Sequence, residues 1–210
     1  MQVKICGLKT AQSVRDAQEA GAAYLGFNFF AKSPRYVPFD QAARLTQEVR
    51  PGVCKVALCV NANDAFIDEL LAHVPCDMLQ LHGSESPERV VELKARTGLP
   101  VMKAIGIAEP DDLDQIPRFA AVVDQLLIDA KAPKGAALPG GNGIAFDWRL
   151  LSGRRWAVPW LLAGGLTPEN AAEAARLTGA TQLDVSSGVE TSPGEKDAGL
   201  MRSFVTAASL

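Results

Sequence analysis

Residues 160–188 have the sequence WLLAGGLTPENAAEAARLTGATQLDVSSG, in which an amphipathic segment separates two apolar runs. Thr167 and Pro168 suit the start of a helix, and Gly179 suits the left-handed residue at its end. The second apolar run begins at Gln182. This stretch therefore predicts a β-strand, a helix and another β-strand, which is the repeating unit of parallel α/β proteins.

The same unit recurs along the whole chain. Short runs rich in Val, Ile and Leu begin at eight positions, namely Val3, Tyr24, Lys55, Asp77, Val101, Gln125, Trp160 and Gln182. Eight such units predict an α/β fold, a single-domain (β/α)8 TIM barrel with parallel strands over residues 1–210. A doubly wound open sheet is the alternative, but it usually has fewer strands and often a GxGxxG turn after the first. The segment KICGLKT does not match that turn.

Residues typical of helix ends also flank other predicted helices, but the sixth unit is an exception. Thr10 and Gly21 flank one amphipathic segment, and Ser86 and Gly98 flank another. The sixth unit is the weakest, because a long Gly- and Pro-rich loop over residues 130–146 precedes the short helical pattern DWRLLSG. Long loops in compact domains are usually functional or mobile.

Composition limits the partners that the chain can have. Its 48% hydrophobic and 21% charged residues suit one globular domain, and a net charge of −3 offers no positive field for nucleic acid or anionic lipid. We find neither a signal peptide nor the roughly 18 to 20 apolar residues of a membrane span, which predicts a cytoplasmic protein. Four cysteines without CxxC spacing predict neither a zinc site nor disulfides. Without a long apolar surface stripe, we expect a monomer.

Two loops have the composition of a phosphate site. In (β/α)8 barrels the active site lies at the C-terminal ends of the strands, and the loops after strands seven and eight commonly hold phosphate. Gly164 and Gly165 in the first loop would let backbone amides approach an anion. Ser186, Ser187 and Gly188 in the second would add hydroxyl and amide donors. Either loop alone could be an ordinary Gly/Ser turn. Because both loops occur, and in the order expected after strands seven and eight, a phosphate site is favoured.

Two strand ends carry groups suited to acid-base chemistry. Cys6 ends the first strand and Asp129 ends the sixth, so both should point toward the mouth of the barrel. A carboxyl group after so apolar a strand is costly to ionise without partners, which suits an acid. A cysteine is a base only as thiolate, a form that nearby positive charge favours. The alternatives are a core thiol for Cys6 and a helix cap or ion-pair partner for Asp129.

Four more side chains follow barrel strands. Arg35 could grip a carboxylate with its planar fork or be a solvated surface charge. Gln80 and His82 end the fourth strand, and His82 lacks the neighbouring ligands of a metal site. Asp184 could orient a sugar hydroxyl or cap the amides of loop eight. We therefore treat these four residues as candidates for substrate binding.

Seven motifs in order carry a likeness to a known family: KICG, SPRYV, LQLHG, LLID, PGGNGIAFDW, AGGL and DVSSGVE. Together, and over nearly the whole chain, they resemble the phosphoribosylanthranilate isomerase family of tryptophan biosynthesis. The nearest departure is Asn142, where that family is expected to have threonine, so a hydroxyl contact from this loop is in question.

The resemblance implies an Amadori rearrangement of N-(5-phosphoribosyl)anthranilate to 1-(2-carboxyphenylamino)-1-deoxyribulose 5-phosphate. It implies no cofactor and no metal, and its partner is a small phosphorylated aminosugar. Asp129 would be the general acid and Cys6 the general base. The resemblance further places Arg35 on the anthranilate carboxylate, Asp184 on the sugar hydroxyls, and Gly165, Ser187 and Gly188 on the phosphate.

Three rival functions can be weighed on the same residues. The aminoimidazole-carboxamide isomerase of histidine synthesis is similar in layout but is expected to have aspartate where Cys6 stands. Indole-3-glycerol-phosphate synthase would need catalytic Lys and Glu residues that we cannot place. A non-catalytic phosphosugar-binding barrel would keep the phosphate loops but would not need both Cys6 and Asp129.

Overall fold

The apolar runs form eight short parallel strands that close into a barrel, in the order β1 to β8 around the ring. The computed structural model describes residues 1–132, 135–136, 138–141, 143 and 145–209, so the departure at Asn142 lies outside the described residues. The strands are β1 Gln2–Cys6, β2 Tyr24–Asn28, β3 Cys54–Cys59, β4 Met78–Leu81, β5 Val101–Ile107, β6 Gln125–Ala130, β7 Trp160–Leu162 and β8 Gln182–Val185. The predicted (β/α)8 barrel is confirmed, and every predicted strand start is correct to within one residue.

Helices on the outside connect the strands. They are α1 Ala11–Glu19, α2 Phe39–Gln47, α3 Asp64–His73, α4 Pro87–Thr97, α5 Ile116–Ala120, α6 Ala171–Thr178 and α7 Ala198–Ala208. The predicted caps are present, because the Thr10 hydroxyl accepts the Ser13 amide and the Ser86 hydroxyl accepts the Arg89 amide. Gly98 ends α4 in the left-handed conformation, with a φ of 68°.

Two crossovers differ from a regular helix. The fifth combines a 3-10 helix, Pro110–Gln115, with the short α5, and the described residues of the sixth contain the 3-10 helix Trp148–Leu151 and no α-helix. The weak helical pattern predicted for the sixth unit is therefore one 3-10 turn. Helix α6 begins later than its sequence signal suggests, because the side-chain oxygen of Asn170 accepts the Thr167 amide in a preceding turn.

Two apolar cores hold the barrel together. The larger one lies between the strands and the helices, as expected for strands covered on their outer faces. A smaller one fills the barrel interior and consists of Met102, Ala104, Leu127, Leu161 and Ala163. Because this interior core is packed, the open space at the carboxyl ends of the strands is a pocket and not a channel. No helix in the described part of the chain is long and apolar enough to cross a membrane.

Candidate active site

A cavity opens at the carboxyl ends of the strands, and ten of the eleven predicted site residues line it. These are Cys6, Arg35, Gln80, His82, Asp129, Gly164, Gly165, Asp184, Ser186 and Ser187. Gly188 is not among the lining residues. A Cβ added to it would lie 1.9 Å from the Leu166 carbonyl oxygen, so Gly188 packs loop eight against loop seven. The barrel thus brings together residues that are up to about 180 positions apart in the sequence.

The carboxyl group of Asp129 has a polar neighbour at each oxygen. Its Oδ1 accepts the Ala130 amide at 2.8 Å, and its Oδ2 lies 3.3 Å from His82 Nε2. Gln80 Nε2 lies 3.0 Å from His82 Nδ1, and with the amide nitrogen donating there the ring proton lies on Nε2, facing Asp129. The sequence predicts substrate binding for both residues; in this structure Gln80 contacts His82, and His82 faces the carboxyl group of Asp129.

Cys6 lies among positive charges. The ammonium of Lys4, two residues earlier on β1, interacts with its sulfur electrostatically, as do Arg35 and Lys196. These cations supply the positive potential that a thiolate base requires. The alternative of an inert core thiol does not fit, since Cys6 borders the cavity and has charged neighbours.

One carboxylate oxygen of Asp184 is bound by another residue of the protein. Its Oδ1 accepts a hydrogen bond of 2.8 Å from Lys4 Nζ, and the Lys4 side chain is fully buried. Burial alone would lower the pKa of Lys4, but Asp184 and Cys6 together more than compensate and hold that pKa above its usual value. None of the hydrogen bonds among the described residues joins Asp184 to an amide of loop eight, so it is not the cap that one alternative proposed. Its predicted contact with sugar hydroxyls remains a prediction.

Arg35 is buried, so the alternative of a solvated surface charge is wrong. Its fork does grip a carboxylate, but that carboxylate belongs to Glu190 of the protein, at 2.8 Å for both pairs of atoms. Glu190 begins β9, Glu190–Ser192, which pairs with β10, Glu195–Lys196, in a small hairpin after β8.

Four charged residues of this site were missed from the sequence: Lys131, which lines the cavity, and Lys4, Glu190 and Lys196, which form ion pairs behind it. A signal for Lys4 was available, because side chains two apart on a strand share a face and Lys4 precedes Cys6 by two. Glu190 lies within the quoted motif DVSSGVE, but nothing in the sequence connects it to an arginine 155 positions earlier.

A closed parallel barrel with a thiol and a carboxyl group in a cavity at the carboxyl ends of its strands defines the class of (β/α)8-barrel proteins. The family model for N-(5'-phosphoribosyl)anthranilate (PRA) isomerase matches residues 3–207. The chain belongs to this family.

Individual relatives agree with that assignment. The N-(5'-phosphoribosyl)anthranilate isomerases of Cereibacter sphaeroides and Paracoccus denitrificans are each 60% identical to this chain, over 99% and 100% of it and 98% and 97% of their own lengths. The crystal structure of phosphoribosyl anthranilate isomerase from Thermotoga maritima superimposes with a TM-score of 0.89 at 32% identity, covering 100% of this chain and 98% of its own. A further one, in complex with reduced 1-(o-carboxyphenylamino)-1-deoxyribulose 5-phosphate, has a TM-score of 0.85 at 30% identity, with the same coverage.

Proposed function

We propose that this protein catalyses the Amadori rearrangement of N-(5'-phosphoribosyl)anthranilate to 1-(2-carboxyphenylamino)-1-deoxyribulose 5-phosphate in tryptophan biosynthesis. The observation that carries the proposal is the placement of Cys6 and Asp129 in one cavity. They end β1 and β6, and the strands between them, β7 and β8, carry the two predicted phosphate loops. A phosphosugar anchored by those loops would extend between a thiol and a carboxyl group.

The first step is opening of the sugar ring. Asp129 donates its proton to the furanose oxygen, the bond from that oxygen to the first sugar carbon breaks, and the nitrogen lone pair forms an iminium ion. His82 Nε2 faces the resulting carboxylate and stabilises it with a hydrogen bond. Gln80 keeps the imidazole in the tautomer that does so.

The second step is proton removal from the adjacent sugar carbon. The Cys6 thiolate takes this proton, and the electron pair neutralises the iminium to give an enolamine, which tautomerises to the ketone. The nearby Lys4, Arg35 and Lys196 support this role because they favour a negative sulfur. A non-catalytic phosphosugar-binding barrel, the rival function, would gain nothing from a thiol in such surroundings.

The test is turnover of freshly prepared phosphoribosylanthranilate, followed by the change in anthranilate fluorescence. We expect a decrease in signal that depends on protein concentration. The phosphoribosyl-formimino derivative of aminoimidazole-carboxamide ribonucleotide, which is the aminoaldose of the histidine pathway, is the second substrate to offer, and we expect no turnover of it. A protein that binds the reduced product analogue but turns over neither substrate would favour the non-catalytic barrel.

The remaining expectations form part of the same proposal. We infer a single catalytic domain that acts as a monomer in the cytoplasm without a nucleic-acid partner. Sedimentation of the purified protein at micromolar concentration tests the monomer, which has a mass of 22.3 kDa.

A further inference from the structure

Arg35 divides its donors between the protein and the cavity. Its Nε donates to Glu190 Oε1 and its Nη2 donates to Glu190 Oε2, both at 2.8 Å. Its Nη1 lies at the cavity wall, 3.3 Å from the Gly141 carbonyl oxygen. The Nε–Nη2 edge of the guanidinium is therefore occupied by Glu190, and the other edge, formed by Nη1 and the second hydrogen of Nη2, is the one left for a ligand.

Close packing fixes this orientation. The side chains of Arg35 and Glu190 are only 7% and 3% exposed. The backbone of Gly7 lies against the Arg35 methylenes, and Gly141 lies against its Nη1. A Cβ at Gly7 would come within 2.6 Å of Cδ, and one at Gly141 within 2.7 Å of Nη1. Both glycines also have positive φ angles, so any side chain there would strain the backbone and displace the guanidinium.

Glu190 is itself held from a second side. Lys196 Nζ donates to Glu190 Oε1 at 2.6 Å and to the Ser186 carbonyl oxygen at 2.9 Å. Burial alone would raise the pKa of Glu190, but Arg35 and Lys196 together keep it below its usual value. Glu190 is therefore ionised at neutral pH without any ligand. The hairpin β9–β10 contains both Glu190 and Lys196, so it is the hairpin that holds the guanidinium of Arg35 in place.

We propose that Glu190 is a positioning residue, which orients Arg35 so that its Nη1–Nη2 edge meets the carboxylate of the anthranilate ring. This inference rests on the proposed function, which places that carboxylate at Arg35. A free arginine could take a carboxylate in several two-point arrangements, whereas a guanidinium fixed by Glu190 offers one direction of approach. The pair thereby selects ligands whose carboxylate lies at that one position.

The experiment compares two ligands in the parent and in Glu190→Gln. One is the reduced product analogue, and the other is the same molecule without the ring carboxylate. We expect the parent to bind the carboxylate form at least about tenfold more tightly, the value of one charge-assisted hydrogen bond. In Glu190→Gln this ratio should fall to about threefold or less, because Arg35 is no longer fixed. KM for phosphoribosylanthranilate should rise more than kcat falls.

Glu48→Gln is the matched control. It makes the same change in the ion pair of Arg15 and Glu48, whose side chains are 46% and 43% exposed, and it should leave the ratio as in the parent. If Glu190→Gln does not fold, Glu190→Asp replaces it, because the shorter side chain keeps the charge but cannot hold both Arg35 nitrogens. It should also lower the ratio.

Two results would overturn the assignment of Glu190: an unchanged ratio, with or without equal weakening of both ligands, or tighter binding of the carboxylate form. Equal weakening would mean a purely structural role, and tighter binding would mean that Glu190 competes with the ligand for Arg35. Turnover by the parent is measured on the same preparation. A parent without turnover contradicts the proposed function, whereas an active parent with an unaffected ratio in the variants contradicts only the role of Glu190.

Discussion

Lys4 and Asp184 form a buried ion pair that joins the first and last strands of the barrel, with Nζ 2.8 Å from Oδ1. The two residues are register partners in the pairing of β1 with β8, the pairing that closes the ring. Because Lys4 also interacts electrostatically with Cys6, the closure of the fold and the positive potential at the thiol depend on the same side chain.

Lys4→Met should reduce the free energy of unfolding by about 3–5 kcal/mol, because it leaves the Asp184 charge buried without its partner. Lys55→Met is the matched control, since Lys55 is also a strand lysine, and its ion pair with Asp77 lies at the surface. That change should cost no more than about 1 kcal/mol. Urea denaturation measures both values. Equal losses of unfolding free energy in the two variants would mean that the buried ion pair stabilises the fold no more than the surface pair does.

Alkylation by iodoacetamide at pH 8 should modify Cys6 before the other three cysteines. Burial raises the pKa of Cys54 to about 11 and that of Cys76 to about 12, and it raises the pKa of Cys59 further. At pH 8 a thiol with a pKa of about 11 is ionised in about one molecule in a thousand, so it reacts slowly. Peptide mass spectrometry would identify the site of modification.

Turnover should be lost at the same rate as Cys6 is alkylated. The reduced product analogue, bound in the cavity, should slow the alkylation and the loss of turnover alike. Modification of Cys54 or Cys76 ahead of Cys6 would contradict the electrostatic account of the site. So would full modification of Cys6 in a protein that keeps its turnover.

Arg35→Lys should not restore normal activity, and kcat/KM should fall at least about tenfold. One reason for this expected loss is that lysine cannot bind a ligand carboxylate at two points. The structure adds another, because one ammonium cannot hold both oxygens of Glu190 and still present a donor to the cavity. Arg44→Lys, at an exposed position of α2, is the control and should behave as the parent. Parental kinetics in Arg35→Lys would remove Arg35 from the site.

Ser187→Asp should raise KM by at least about tenfold while kcat changes less, because it places a like charge beside the predicted phosphate site. Ser187→Asn has a similar shape without the charge and serves as the control. Its KM should rise much less. Equal KM values for the two variants and the parent would mean that loops seven and eight do not hold the phosphate.

The sequence was sufficient to locate the strands and the mouth of the barrel, because both follow from local patterns. Each strand is an apolar run of three to seven residues, and Cys6 and Asp129 are recognisable because they end such runs. The weak sixth unit was also identified, although its helical pattern proved to be a 3-10 turn, since the short segment Trp148–Leu151 completes no α-helix.

Pairs between distant residues could not be predicted in the same way. The partnership of Lys4 with Asp184 spans 180 positions, and that of Arg35 with Glu190 spans 155. No local propensity specifies which charges meet when the barrel closes. For that reason Arg35 was expected to be free for the ligand, whereas one edge of its fork is occupied by the protein.

The central claim is that Asp129 and Cys6 carry the acid and base steps while other residues bind the ligand. Cys6→Ala and Asp129→Asn should each lower kcat by about 10²- to 10⁴-fold, the usual value of lost general acid-base catalysis. The losses in the double variant should not add, because the slower blocked step limits the rate.

The most direct test measures fluorescence turnover of phosphoribosylanthranilate by the parent and both single variants, together with their affinity for the reduced product analogue. We expect both variants to bind the analogue nearly as the parent does and to lose turnover by at least about a hundredfold, because their anchors for phosphate and carboxylate remain. Near-parental turnover in Cys6→Ala would contradict the base assignment, and near-parental turnover in Asp129→Asn would contradict the acid assignment.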